Sequence, residues 1–307
     1  MMRVAATVGA FVIASLGTVA LAEETEDNFV YMPAPQQEAL IIEQPMGKLI
    51  INGWDKPEVR IHSHKHAPNV ASLERLRVNV EMNNGRVRIR TGVRVGETFR
   101  GLPPASAEGG GIDLSIDAPR GVTVQARTWN GDLEANGFRA GAELASKRGE
   151  VRARDIKGKV HTNADFGRQR LSSITGDVDA HGVTGDLELD TVDGDVLEAN
   201  VVDGQITARD VRTPVVRLLS TAGGIVFIGT VRAGGRYELT AMDGDVRLEL
   251  ERVPFTIAAR ASLKVKSSFQ LVGKVTPRDV RGEFLGGGPQ LELTALHGNV
   301  LVSPRPQ

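Results

Sequence analysis

Three histidines alternate along Arg60-Ile61-His62-Ser63-His64-Lys65-His66. A strand turns successive side chains to opposite faces, so this spacing puts the imidazoles of His62, His64 and His66 on one face. Imidazoles so placed chelate zinc or copper when a further ligand arrives from a neighbouring strand. Arg60 and Lys65 bring positive charge close by, and a polar outer face accounts for the same alternation. Trp54 and Trp129, with Tyr31 and Tyr237, are the only Trp and Tyr residues. Trp54 in a turn and Trp129 beside a turn glycine are candidate ligand contacts of the kind that hold a sugar ring, and hydrophobic cover over a turn uses the same rings.

The most repeated polar feature is a Gly-Asp pair, ending in Asp132, Asp177, Asp186, Asp195 and Asp245. A calcium-binding β-roll needs Gly-Gly-x-Gly-x-Asp in every nine-residue turn, so a single glycine directly before the acid marks a turn former instead. Asp177, Asp193, Asp195 and Asp203 keep open an alternative, a polysaccharide lyase or hydrolase with carboxylates along one long face. Neither a phosphate-binding glycine loop with its lysine nor His-Glu-x-x-His occurs in the sequence. No catalytic residue and no cofactor is expected.

These residues need a frame that the composition already limits. The 307 residues carry 37 basic and 38 acidic side chains and no cysteine. Balanced charge excludes a non-specific nucleic-acid binder. Absent cysteine excludes disulfides, thiolate nucleophiles and Cys-ligated zinc. Glycine, at 35 residues, is well above its usual share, and aromatics are only 4%, so tight turns surround an aliphatic core.

Arg3, the apolar run 4–19 and Ala20-Leu21-Ala22 have the form of a signal peptide cleaved after residue 22. Export to a periplasm, an outer surface or the medium is expected, with no transmembrane span once the signal is removed. Residues 23–38 begin with Glu23-Glu24-Thr25-Glu26-Asp27 and read as a flexible, solvated tether. Residues 39–128 read as paired strands punctuated by turns. One of these is a hairpin at Asn83-Asn84-Gly85, and a glycine-rich loop follows at 101–111.

From 129 to 250 the chain repeats. Glycines 131, 149, 167, 185, 204, 223 and 244 step by 18 to 21 residues, and a second ladder, Gly141, Gly158, Gly176, Gly194, Pro214 and Gly234, falls between them. Two positions past the first ladder stand Leu133, Val151, Gln169, Leu187, Ile206, Ile225 and Val246. Four positions past it stand Ala135, Ala153, Leu171, Leu189, Ala208, Phe227 and Leu248. Only Gln169 among these fourteen is polar. Stacked about 4.8 Å apart, such units form continuous aliphatic columns. A third column is expected through Leu144, Val160, Val178, Val196, Val216 and Tyr237, and outward charges pair Glu150 with Arg168, Arg170 with Glu188, and Arg168 with Asp186. The expected fold is an all-β, single-stranded parallel β-solenoid of about seven coils, closed by a C-terminal β cap over 251–307.

The recurring Thr128-Trp129-Asn130-Gly131-Asp132-Leu133, Thr191-Val192-Asp193-Gly194-Asp195-Val196 and Asp243-Gly244-Asp245-Val246 resemble the bacterial putative-adhesin domain of unknown function. So do Gly47-Lys48-Leu49-Ile50-Ile51-Asn52-Gly53-Trp54-Asp55 upstream and His297-Gly298-Asn299-Val300 downstream. The resemblance covers roughly residues 39–302. It implies an exported β-solenoid of the cell envelope or surface and supplies no catalytic residues. The reading of the whole is a non-catalytic binding or adhesin-like protein, its partner an envelope polysaccharide or protein. Self-association through the coil ends is a further possibility.

Overall fold

The structure is a computed structural model describing residues 23–31, 38–101 and 110–305. The expected signal peptide at 1–22 and most of the loop 101–111 lie outside them. The chain divides between Gly149 and Glu150 into two compact units. The fold is all-β, and the one helix among the described residues is Val70–Leu73, capped by Asn69, whose Oδ1 accepts the Ser72 N–H at 2.8 Å.

In the first unit one sheet runs Glu23–Tyr31, Val59–Ala67, Gly111–Pro119, Leu49–Trp54, Leu133–Asn136, and the other Leu76–Asn83, Arg86–Val95, Ala39–Met46, Thr123–Asn130, Ala142–Arg148. The hairpin forms as read, with φ of 47° at Asn84 and 73° at Gly85. The expected tether does not hold over its first part. Glu23–Tyr31 is a strand, antiparallel to Val59–Ala67 from Glu23 opposite Ala67 to Tyr31 opposite Val59. Its acids answer the basic strand beside it: Asp27 pairs with Lys65, and Glu24 with His64 at 3.3 Å.

In the second unit each winding gives one strand to each of two sheets. The first sheet runs Val151–Lys157, Gln169–Thr175, Leu187–Asp193, Ile206–Val211, Ile225–Gly229, Val246–Leu250, Asn299–Pro304, Lys264–Ser267. The second runs Val160–Phe166, Val178–Thr184, Val196–Asp203, Val215–Ala222, Arg236–Asp243, Gln290–Ala295, Phe255–Ala261, Asp279–Phe284, Val272–Val275. The arrangement is β-helix-like, with large, mostly parallel sheets. It corrects the single-stranded solenoid, because two sheets share every winding and no backbone ladder among the described residues closes one onto the other.

All fourteen positions of the two inward columns are buried, Gln169 included. The sheets meet through them: the rings of Phe227 and Tyr237 stand edge to face at 5.8 Å. The third column needs one correction, since Leu197 and not Val196 pairs with Val178 and is fully buried. The turn after Gly194 carries one extra residue, Gly194-Asp195-Val196, and shifts the inward position by one.

A column absent from the sequence reading is Ile156, Ile174, Val192 and Val211, all buried. Each follows a non-glycine residue in the left-handed region: Asp155, Ser173, Thr191 and Asp210, with φ of 53°, 55°, 58° and 49°. The positive φ places two successive side chains outward before alternation resumes, bending these four adjacent strands of the first sheet at one level.

The glycine ladders are steric requirements. A Cβ on Gly185 would lie 2.3 Å from the carbonyl oxygen of Gly167, and one on Gly194 2.2 Å from that of Gly176. The turn acids tie the same windings together. Asp177 Oδ1 accepts the N–H groups of Asp195 and Val196, both at 3.0 Å, and Asp186 Oδ1 that of Gln205 at 3.0 Å.

The C-terminal cap closes the second sheet with antiparallel strands, Phe255–Ala261 against Asp279–Phe284 and the latter against Val272–Val275. After Lys264–Ser267 a turn sends Phe269 into contact with Phe255 and Phe284, at ring distances of 5.2 and 4.8 Å.

Candidate functional site

The histidine strand lies between an acidic edge strand and Gly111–Pro119. Asn28, His62 and Ser115 are in register, as are Glu26, His64 and Asp113, and Glu24, His66 and Gly111. The three imidazoles share a face as expected but do not converge. His62 Nδ1 is 2.7 Å from Asn28 Oδ1, whereas His64 and His66 join Asp113, with ligating atoms all within 4.8 Å of one another. A Cβ at position 111 would sit 2.7 Å from His66 Nε2, so Gly111 makes the space this ring occupies. Asp113 Oδ1 also accepts the Lys48 N–H at 2.7 Å. The nearby cations are answered elsewhere: Lys65 by Asp27, and Arg60 by Glu58 at 3.6 Å.

The two tryptophans lie on different sheets. Trp54 donates from Nε1 to the Glu58 carbonyl at 2.8 Å, and Lys56 and Arg60 both sit 4.8 Å from its ring centroid. Its face is already used by cations. Trp129, 42% exposed, offers a ring to solvent. Tyr237 is wholly buried, as its column position requires.

The second unit holds a cluster that reading by motif missed. His161 is in register with Asp179, and Asn163 with His181. His161 Nδ1 stands 3.1 Å from Asp179 Oδ2, and His181 Nε2 stands 2.7 Å from Asp179 Oδ1. Positions 161 and 179 are one winding apart, as are 163 and 181, so wrapping the sequence at a period of 18 would have aligned them.

This cluster begins a longer track. Asp179, Glu198, Arg217, Glu238 and Glu292 are in register across successive parallel strands, with Asn200, Leu219, Thr240 and Thr294 in the row beside them. Arg217 pairs with Glu198 and lies 3.8 Å from Glu238, while Arg236 reaches Glu292 at 3.3 Å. A shallow groove of about 390 Å³ follows the track, lined by His181, Glu198, Asn200, Arg217, Leu219 and Glu238 among others. On the first sheet Arg170 pairs with Glu188 at 3.0 Å and Arg168 with Asp186 at 3.7 Å, as expected. Glu150 pairs with Arg152 and Arg170.

No protein-family model matches the chain, and no curated protein does. Among solved structures it is similar to a putative cell adhesion protein from Clostridium sporogenes ATCC 15579, with 9% identity over 92% of this chain and 100% of that one, and a TM-score of 0.25. Likeness at that level carries no information about function.

Proposed function

We propose that this protein is a non-catalytic binding protein, exported to the cell envelope or surface, that holds an envelope polysaccharide along the outer face of its second sheet. The observation that carries the reading is the in-register track from Asp179 to Glu292 with its groove. Parallel windings place one charged side chain per strand along this row at a constant spacing, a pattern that suits an extended polymer. Acids outnumber cations along the row, favouring a hydroxyl-rich or amine-bearing polymer over a polyanion. The N-terminal sequence supports export. No helix among the described residues is long and apolar enough to cross a membrane.

The test is co-sedimentation of the full chain with purified cell-wall and capsular polymers, read for both retention and cleavage. Retention on at least one polymer with no new reducing or unsaturated ends, lost when Glu198→Lys and Glu238→Lys are combined, is the expected result. New ends would replace this reading with a polysaccharide-acting enzyme. Failure to bind any polymer would overturn it.

A further inference from the structure

We propose that His161, Asp179 and His181 bind a divalent transition-metal ion of the zinc, nickel or copper class. Both imidazoles present a ring nitrogen to a separate oxygen of one carboxylate, at 3.1 and 2.7 Å, and the ligating atoms of all three residues lie within 4.8 Å of one another. On a tetrahedral ion with bonds near 2.0–2.1 Å, neighbouring donors stand roughly 3.3 Å apart, so a small turn of the side chains admits the ion. Two imidazoles and one carboxylate suit this class of metal, whereas calcium and magnesium prefer a shell of oxygens.

The frame is rigid where it needs to be. The three residues sit on two adjacent strands of one parallel ladder, Val160–Phe166 and Val178–Thr184. From the core, Gln169 Nε2 donates to the His181 carbonyl at 2.6 Å, and its Oε1 accepts from Thr162, the neighbour of His161, at 2.6 Å. The side chains of His161 and His181 are 39% and 48% exposed, which leaves an ion a path in. Three protein ligands leave a position open, and His181 also lines the groove.

The test uses the metal-free full chain carrying His64→Ala and His66→Ala, which removes the first unit's cluster, titrated calorimetrically with Zn²⁺ alone. One equivalent is expected to bind. Adding His161→Ala and His181→Ala should weaken that binding by about tenfold or more, with the far-ultraviolet dichroism unchanged. In ¹⁵N-detected imidazole spectra, Zn²⁺ should move the ring resonances of His161 and His181. No uptake by the chain with 161, 179 and 181 intact, or uptake indifferent to their removal, would overturn the proposal. Because the polymer assay needs no metal, either result stands apart from the binding function.

Discussion

Gln169 and Thr162 bridge the two sheets through the middle of an aliphatic core, the Thr162 hydroxyl donating to Gln169 Oε1 at 2.6 Å with both side chains buried. The amide's nitrogen goes to the His181 carbonyl, and the missing side chain of Gly182 leaves it room: a Cβ there would lie 3.2 Å from Gln169 Nε2. Gln169→Leu restores the apolar pattern of its column yet strands a hydroxyl and a carbonyl. It is expected to lower stability by about 1–3 kcal/mol, read by urea titration. Adding Thr162→Val should recover part of that loss, and a double mutant no better than the single would remove the bridge as the cause.

Gly185 has a φ of 133°, and its missing Cβ leaves room for the Gly167 carbonyl. Gly185→Ala should cost about 2–3 kcal/mol, since both the backbone region and the contact are unfavourable. A midpoint shift no larger than that of an alanine at an exposed strand position would contradict the stacking.

Thr191 is β-branched and held at a φ of 58°. Glycine takes that conformation without a steric penalty, so Thr191→Gly is expected to stabilise by up to about 1 kcal/mol, although glycine inside a strand normally destabilises. A lowered melting temperature would mean that the bend at this level is not strained.

Burial raises the Tyr237 phenol above its usual range, against the opposing pull of the Arg232 N–H, which donates to it at 2.8 Å, and of the Arg232 charge. The unfolded chain therefore loses this proton first, near pH 10. The stabilisation is complete below that pH and lost as pH rises through the folded value. Tyr237→Phe should show a shallower fall in stability above pH 10 than the parent, at a cost of about 1 kcal/mol near neutrality from the unpaired Arg232 N–H. Parallel alkaline limbs would refute it.

Much of the frame was legible in the sequence because glycine and aliphatic residues mark it at a fixed period. Leu133, Val151, Leu187 and Ile206 point inward as the ladder requires. The bends at Asp155, Ser173, Thr191 and Asp210 were not legible, because residues that rarely take a positive φ do not announce one, and the buried column after them was lost with them. Val196 misled because one added turn residue reverses which side chain faces in. The histidine triplet was visible as an alternation, but its partner Asp113 comes from a strand 47 positions after His66. Trp54 was visible as a ring but not as one already faced by Lys56 and Arg60.

The roof that each glycine carbonyl makes over the next has a consequence for how such a chain can change its reach. Gly185, Gly204 and Gly223 leave no room for a side chain at those corners. Single added residues are taken up away from those corners, as at Gly194-Asp195-Val196, and leave the strand count unchanged, so the extent of the presented surface follows the gain or loss of complete segments.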